Sequence, residues 1–412
     1  MSAEVELARV VTEVPYSAGV RERQRKPFSL RWNVIVPWTL VTVAVLTIVS
    51  GGLPGADVVA LAETTGPVLI FVIAMTIVAE LASAAGVFSV VAERLAVWGR
   101  GRRVLLWVFV LAMITLSTAF MSLDTTAVLI TPVIVVLARH VGVSPLPYAL
   151  ATVWLANTAS LFLPVSNLTN LLAADALGGT PLGFLAEFWA PALAAVLITV
   201  VALTLIHRRS LAGRYELAGT TAIPDRRLLI IAAVVVAVLL PMLVSGVPVA
   251  LVAGVAALVL VAVFAFRRRS VLTLRLIPWQ TMGIAASLFV IVEAIHVQGY
   301  DTVLGTAVGQ GQGVLDLLRI AGIGALGANA VNNLPAYLSL SAFADTPLRL
   351  GALLIGVNLA PLISPWGSLA TLLWHHRLTA MSVEISWRRF AVLGLGLSLV
   401  LVPVTTLALW LG

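Results

Sequence analysis

The sequence predicts an all-α polytopic membrane protein made of inverted repeats, each holding a re-entrant hairpin and a broken helix, with about nine full spans plus two hairpins. Three observations carry that prediction. Of the 412 residues, 60% are hydrophobic and only 10% charged, where a soluble protein carries about 25% charge. The basic residues sit in short clusters between apolar runs long enough to span a bilayer. Polar breaks recur in the same order in the two halves.

This composition, with a mean hydropathy of +1.08, excludes a cytosolic enzyme, a secreted scaffold and a disordered regulator. The absence of cysteine removes disulfides, thiolate metal sites and cysteine nucleophiles. Residues 1–32 are polar and read as a cytoplasmic N-terminal extension without a cleavable signal pattern.

A span needs roughly 20 apolar residues, which places spans near 33–50, 66–92, 146–175, 188–206, 228–246, 249–266, 276–298, 349–374 and 390–411. Between them lie Arg94, Arg100, Arg102 and Arg103; His207, Arg208, Arg209, Arg214, Arg226 and Arg227; Arg267, Arg268, Arg269 and Arg275; then Arg377, Arg388 and Arg389. Short basic loops mark the cytoplasmic side. The net charge of +7 therefore belongs to topology and not to nucleic-acid binding. Counting spans from a cytoplasmic N-terminus keeps every cluster on one side, with Arg319 and Arg349 as the exceptions. The location implied is the inner (cytoplasmic) membrane, multi-pass, in contact with lipid.

Two apolar stretches, 104–139 and 313–345, each have both ends on one side and a polar middle, and read as hairpins entering from opposite faces. The domain plan is a first repeat, 33–206, with hairpin 104–139 and broken helix 146–175. A cytoplasmic loop and linking span, 207–248, follows. The second repeat, 249–412, carries hairpin 313–345 and broken helix 349–374. Three matches support it. Glu80 and Gly86 share their spacing with Glu293 and Gly299; Asp124-Thr125-Thr126 answers Asn332-Asn333-Leu334-Pro335; Asn157 and Pro164 answer Asn358 and Pro365.

Irregular backbone is tolerated at membrane depth only where it lines a cavity or is buried in protein. The breaks at 122–126, 163–168, 329–335 and 361–368 therefore point to a central site for a small polar solute or ion, where half-helix ends offer free N–H and C=O groups. The candidate binding residues are Asp124, Thr125, Thr126, Asn157, Ser166, Asn167, Asn332, Asn333, Asn358, Gly367 and Ser368. A carboxylate deep in an apolar run is costly and marks function. Desolvation favours the neutral form of any carboxyl, so Asp124, Glu80 and Glu293 are the proton-coupling candidates. Trp154 and Trp366, beside the breaks, are candidate walls of the site.

Other patterns read as structural. Asp316 and Arg319 have the spacing of a local helical ion pair. Gly322, Gly324 and Gly327 fit a dinucleotide fingerprint only literally, since no strand–helix unit surrounds them; tight helix packing explains them. The single lysine, Lys26, has no glycine loop, so no ATP-binding motif is present. His375 and His376 are adjacent and diverge on a helix, a poor metal pair. Neither cofactor nor metal is expected. A membrane-embedded transferase would gather Asp, His or Arg at the interface, whereas the acidic residues here are scattered. The reading is a transporter, not an enzyme.

Several of these residues resemble the arsenical pump membrane protein (ArsB) family. They are the run Leu155 to Asn170, the stretch Asn332-Asn-Leu-Pro-Ala336, and above all Ile363-Ser-Pro-Trp-Gly-Ser-Leu-Ala-Thr-Leu-Leu-Trp374 with Ile385-Ser-Trp387. The similarity covers the chain from about residue 33 to its end and places it in the ion-transporter group with NhaD-type sodium/proton antiporters and divalent-anion/sodium symporters. The resemblance implies a scaffold plus a mobile transport domain, export of arsenite or antimonite driven by the proton-motive force, and alternating access. A separate ATPase subunit and a homodimer are further partners that such relatives use. The hairpin tip Asp124-Thr125-Thr126 departs from the Ser-Asn-Thr type tip of the symporters, which argues against dicarboxylates. The alternative on the same fold is a sodium/proton antiporter or small-anion transporter.

Overall fold

The computed structural model describes residues 29–216, 225–299 and 302–412. The chain forms two compact units, Met1–Thr39 and Leu40–Gly412. In the first, the described residues open helix α1 (Ser29–Val49); most of the expected extension, 1–28, lies outside the described residues.

In the second unit a 30-residue helix, α2 (Gly55–Ala84), is followed by α3 (Val87–Trp98). The expected span 66–92 is thus not one helix. Gly86 takes φ 88° at the junction, a left-handed turn that only glycine adopts without strain. Next come α4 (Arg103–Met121) and α5 (Leu123–His140), the latter with a π-helical turn over Thr126–Ile130. A broken helix follows as α6 (Pro145–Thr158) and α7 (Leu168–Ala173), then α8 (Pro181–Leu211). The second half runs through α9 (Arg226–Met242), α10 (Val249–Arg267), α11 (Trp279–Val297) and the short α12 (Thr302–Val308). Its hairpin is α13 (Val314–Val331) and α14 (Asn333–Ser341). Its broken helix is α15 (Pro347–Leu359) and α16 (Leu369–Ala380), and α17 (Trp387–Leu411) ends the chain. Among the described residues eight helices are long and apolar enough to cross a membrane, with Pro37–Val49 and Pro347–Leu359 as shorter apolar helices.

The basic clusters gather on one face because the helix ends that carry them are tied together. Arg103 Nε donates to Arg214 O at 3.1 Å, Tyr215 donates to Ala96 O, and Arg268 donates to Ala84 O at 3.0 Å. Arg139 reaches Met381 O at 2.5 Å. Both ends of the α4–α5 hairpin therefore lie at the basic face. The α13–α14 hairpin has its ends elsewhere, fixed by Arg349. This side chain is fully buried and donates to Gly309 O, Gly311 O at 2.7 Å and Phe343 O at 2.9 Å, with Asp345 Oδ1 2.9 Å from its Nε. It closes the loop before α13 onto the end of α14 and the start of α15. Since α16 ends at Met381 on the basic face, Arg349 marks the opposite one. The basic residue that broke the charge pattern is a buried clamp. Replacing Arg349 with Leu leaves three carbonyls without their donor, at about 1–3 kcal/mol for each buried group left unsatisfied, while Asp345, 65% exposed, is resolvated by water. Little folded protein is expected on fluorescence-detected size exclusion; a wild-type profile would contradict the clamp.

The Asp316–Arg319 pair does not form. Asp316 Oδ2 instead accepts from the Gly313 N–H at 3.2 Å, and Arg319 donates to Thr306 O at 3.0 Å. A first-turn carboxylate finds unpaired backbone N–H groups nearer than a cation one turn on.

Lipid is as apolar as the side chains it surrounds, so helices associate here through close packing and small residues. A Cβ at Gly356 of α15 would stand 2.0 Å from Ala321 O of α13, and one at Gly394 of α17 would stand 1.8 Å from Leu362 O. Gly324 abuts Leu353 and Val357, and Gly327 abuts Ala336, so two of the three fingerprint glycines serve packing. Gly356→Val forces backbone apart, at the upper end of the about 1–3 kcal/mol typical of overpacking. Its thermal midpoint in detergent should fall clearly, and an unchanged midpoint would refute the contact.

At the basic face Asp225 caps α9, accepting from the Arg227 and Leu228 N–H groups, each at 3.0 Å, while both its oxygens meet Arg267 at 2.9 and 3.0 Å. The Arg267 bonds first, then the helix N–H groups, pull its carboxyl from 3.8 down to about 2. A lowered folded value means the stabilisation is full above 3.8 and disappears as pH falls toward 2. Asn at this position keeps the cap but not the ion pair. The difference in melting point between wild type and Asp225→Asn should therefore be small at neutral pH, as for exposed pairs, and vanish on acidification.

Candidate substrate and ion site

Four chain breaks meet at the middle of the second unit. In each hairpin the turn falls on one non-glycine residue of positive φ: Ser122 at 88° and Asn332 at 134°. Such conformations are rare away from glycine, and here the side chain compensates. Ser122 Oγ accepts the Thr125 N–H at 3.4 Å and Asn332 Oδ1 accepts the Leu334 N–H at 3.2 Å, capping the second arm. This equivalence corrects the expected pairing of Asp124 with Asn332. Ser122 corresponds to Asn332, Leu123 to Asn333, and Asp124 to Leu334. The charged residue drew the match, while the turn is made two positions earlier.

The broken helices align as the sequence pairs them. Asn167 (φ −150°, ψ 142°) and Ser368 (φ −141°, ψ 145°) both cap the second segment in extended conformation, accepting from the Thr169 and Thr371 N–H groups. The same interval carries Asn157 onto Asn358, Pro164 onto Pro365 and Ser166 onto Gly367.

Asn358 joins the two halves. Its Oδ1 accepts from Asn167 Nδ2 at 2.9 Å and Thr169 Oγ1 at 2.7 Å, and its Nδ2 donates to Asn170 Oδ1 at 2.7 Å. Asn170 continues to Ser160 O at 2.6 Å, which Ser166 also reaches. All of these side chains are buried. Asn157 has no such role, since its Nδ2 donates to Val153 O of its own helix and its Oδ1 has no partner.

Beside this network opens a cavity of about 420 Å³. Its deep wall is the first hairpin tip, Ser122 to Thr125, with Asn167; its side is α2 from Phe71 to Glu80; its mouth is Arg275 to Thr281. Glu80 lies one turn before Ala84 at the basic face. Asp124 lies sixteen residues before the end of α5, hence about 24 Å deeper at 1.5 Å per residue. The cavity thus runs from the basic face to the hairpin tip.

Two carboxylates line it. Glu80 lies toward the basic face and Asp124 at the hairpin tip, and neither has a hydrogen bond or ion pair among the described residues. Arg275 at the mouth is the basic residue of the lining. The remaining polar groups are the hydroxyls and amides of Thr76, Ser122, Thr125, Asn167, Gln280 and Thr281, with the Trp279 indole. Such a set suits a small neutral polyol-like solute or a cation. Among the described residues no group of three or more His, Asp or Glu is placed to hold a metal.

Of the expected site residues, Asp124, Thr125, Asn167 and Glu80 line the cavity. Thr126 points away, bonding Ser117 at 3.0 Å and Thr118 at 3.2 Å. Ser166 and Asn358 belong to the buried network, and Asn157 is buried beside it without a side-chain bond to it. Asn332, Asn333, Gly367 and Ser368 sit at the second hairpin and its broken helix, and Glu293 on α11; none lines this cavity. Trp366 is half exposed and bonds Asn329 O at 2.8 Å, while Trp154 is fully buried; neither walls it. Ser122, Thr76, Arg275 and Gln280 were not anticipated. The one available signal was Ser122, a small polar residue just before the Leu-Asp-Thr-Thr run that opens a helix.

Residues 28–348 match the family model described as citrate transporter (CitMHS). The arsenical pump membrane protein of Escherichia coli K12 is 30% identical, over 91% of this chain and 93% of that protein. The chain belongs to the arsenical pump membrane protein family. A putative arsenical pump membrane protein of Bacillus subtilis is 24% identical over 88% of this chain and 90% of its own length. Among solved structures, the Alcanivorax borkumensis YdaH transporter, described as having an unusual topology, superposes with TM-score 0.57 at 16% identity, covering 93% of this chain and 98% of that one. The arsenical pump family member described here is therefore a multi-pass membrane transporter, and the YdaH likeness speaks for the fold alone.

Proposed function

We propose that this transporter exports arsenite or antimonite by alternating access, with protons entering in exchange through Asp124. The observation that carries the reading is the cavity. It offers hydroxyls and side-chain amides beside a carboxylate, Asp124, that bonds no protein group among the described residues, in a chain without cysteine. Trivalent arsenic binds thiols tightly; without them its neutral hydroxide is held by exchangeable hydrogen bonds, which permits release. The similarity to arsenical pumps favours the same substrate. The basic face is the cytoplasmic one under the positive-inside rule, so the cavity stands open to the compartment from which a toxic solute is removed. No ATP-binding motif is needed for such exchange; a separate ATPase subunit and a dimer remain partners inferred from family resemblance.

Citrate is the second reading, favoured by the family model. A tricarboxylate needs cations around it, but the cavity has two carboxylates and its Arg275 only at the mouth, so like charges would oppose entry. Purified protein in liposomes distinguishes these readings. Arsenite should move with a proton gradient and without sodium; citrate-driven or sodium-driven flux in place of it would overturn the assignment.

A further inference from the structure

Two loops of the basic face are pinned side by side where the chain enters the first hairpin. The turn between α3 and α4 meets the segment that leaves α8, and Arg102 stands opposite Arg214 in an antiparallel bridge. The Tyr215 N–H donates to Gly101 O at 2.8 Å and the Arg103 N–H to Gly213 O at 3.4 Å. The two arginines therefore occupy the non-hydrogen-bonded position, where facing residues come closest, about 4.5 Å between Cα atoms. Neighbouring groups lock the arrangement. Arg103 Nε donates to Arg214 O at 3.1 Å and its Nη1 to Ala212 O at 3.3 Å, and the buried Tyr215 hydroxyl donates to Ala96 O.

Like charges directly opposite on paired strands are destabilising. Arg102 and Arg214 are both exposed, and neither side chain bonds a carboxylate among the described residues. Segments 93–103 and 207–216 carry seven arginines against the two carboxylates Glu93 and Glu216, so this corner holds too little negative charge of its own to offset them. The positive-inside rule asks for basic residues on this face. It does not ask that two of them be fixed face to face. The pair calls for an anion from outside the chain.

The surface below the bridge says which anion. There α4 and α8 run antiparallel, joined by the bond from Trp107 Nε1 to Thr204 Oγ1 at 3.0 Å. Helical spacing places Val104 and Val108 to one side of Trp107. It places Val201, Leu205 and Arg208 to the same side of Thr204, since residue order turns in opposite senses on antiparallel helices viewed from one face. All five are exposed. They leave a lipid-facing apolar groove between the helices with guanidinium groups at its head. Trp98, exposed and edge-on to Phe109 at 6.4 Å, stands just before the same turn, the level at which interfacial tryptophans sit.

We propose that the Arg102–Arg214 bridge binds the phosphate headgroup of an anionic phospholipid whose acyl chains lie along the α4–α8 groove. An acidic protein or free phosphate would meet the same charges but leave the groove empty, whereas a lipid fills both. The headgroup neutralises the facing arginines and so ties the start of the first hairpin to the end of α8. The site is separate from the cavity and stands whatever solute the cavity carries.

Purified protein titrated with solubilised phosphatidylglycerol or phosphatidylcholine, with bound lipid counted by native mass spectrometry, tests the site. Wild type should clearly prefer phosphatidylglycerol. Arg102→Gln with Arg214→Gln keeps the backbone bonds of the bridge and should bind it roughly 30-fold more weakly, the loss expected of two arginines at an anionic headgroup. Arg226→Gln with Arg269→Gln removes the same charge elsewhere on the basic face and should bind as wild type does. Equal loss in both doubles would reduce the site to diffuse surface charge and overturn it, as would full binding by the bridge double. No preference for phosphatidylglycerol would assign the arginines to an acidic protein partner, and inorganic phosphate that displaces the lipid would make this a simple anion site; either result overturns the proposal. Because the chain has no cysteine, a single label reads the groove without touching the bridge. A fluorophore at Leu205→Cys should be quenched more by brominated-chain phosphatidylglycerol than by the phosphatidylcholine analogue, and one at Leu258→Cys on α10 equally by both. Equal quenching at Leu205→Cys rejects the proposal even if the arginine variants fail to fold.

Discussion

Asp124→Asn should lower proton-driven arsenite uptake by roughly 10–100-fold, since interactions with a charged group are worth about 1.5–3 kcal/mol and each 1.4 kcal/mol is tenfold. The substitution is nearly isosteric, and Asp124 bonds no protein group among the described residues, so folded yield and thermal midpoint should match wild type. The residual uptake should also lose its dependence on the proton gradient, because an amide cannot carry the proton. Uptake by the variant that still rises with the gradient would move coupling to Glu80, which lines the same cavity nearer the basic face. Glu293 is the weaker candidate: it shares the Glu80 spacing to a glycine but lies on α11 outside the cavity.

Asn358→Leu should be the most destabilising change at the centre. It leaves Asn167, Thr169 and Asn170 with buried groups whose partner is gone, at about 1–3 kcal/mol for each unsatisfied group. The thermal midpoint should drop sharply. Asn157→Leu removes only an intrahelical bond and an orphaned oxygen, so it should be neutral or stabilising. If the two variants melted alike, the bridging role of Asn358 would be wrong. The comparison is pointed because the sequence presents these residues as a symmetric pair. Their inequality arises from the neighbours: Asn358 meets the Asn167-Leu168-Thr169-Asn170 segment, and nothing equivalent faces Asn157.

Much of the fold is legible because the physical constraints are strong and local. Apolar length, the basic clusters and the prolines of the broken helices each report on one segment at a time. The polar breaks are visible for the same reason, since unsatisfied backbone in hydrocarbon needs nearby Ser, Thr, Asn or Gly. What escapes the sequence is long-range. Arg275 to Thr281, from the end of the loop after α10 and the first turn of α11, reach the cavity mouth from far along the chain. Asn329 looks like ordinary polar glue until its contacts with Ala360 and Ser364 are known. Arg349 breaks the charge rule on paper, and its three carbonyls explain the exception, since it is a buried clamp and not a topology determinant. Asp124 shows the opposite case, in which a charge attracts attention while Ser122, two positions earlier, makes the turn that positions it.

The account stands or falls on coupled movement of arsenite and protons through this cavity. The decisive measurement is radiolabelled arsenite uptake into everted membrane vesicles, with internal pH followed in the same sample, for wild type and Asp124→Asn. Wild-type uptake that needs a proton gradient, ignores sodium and releases protons from the vesicle interior as arsenite enters, with the variant's uptake strongly reduced and independent of the gradient, is the predicted result. Arsenite uptake that proceeds without proton movement, or that Asp124→Asn leaves intact, would contradict it.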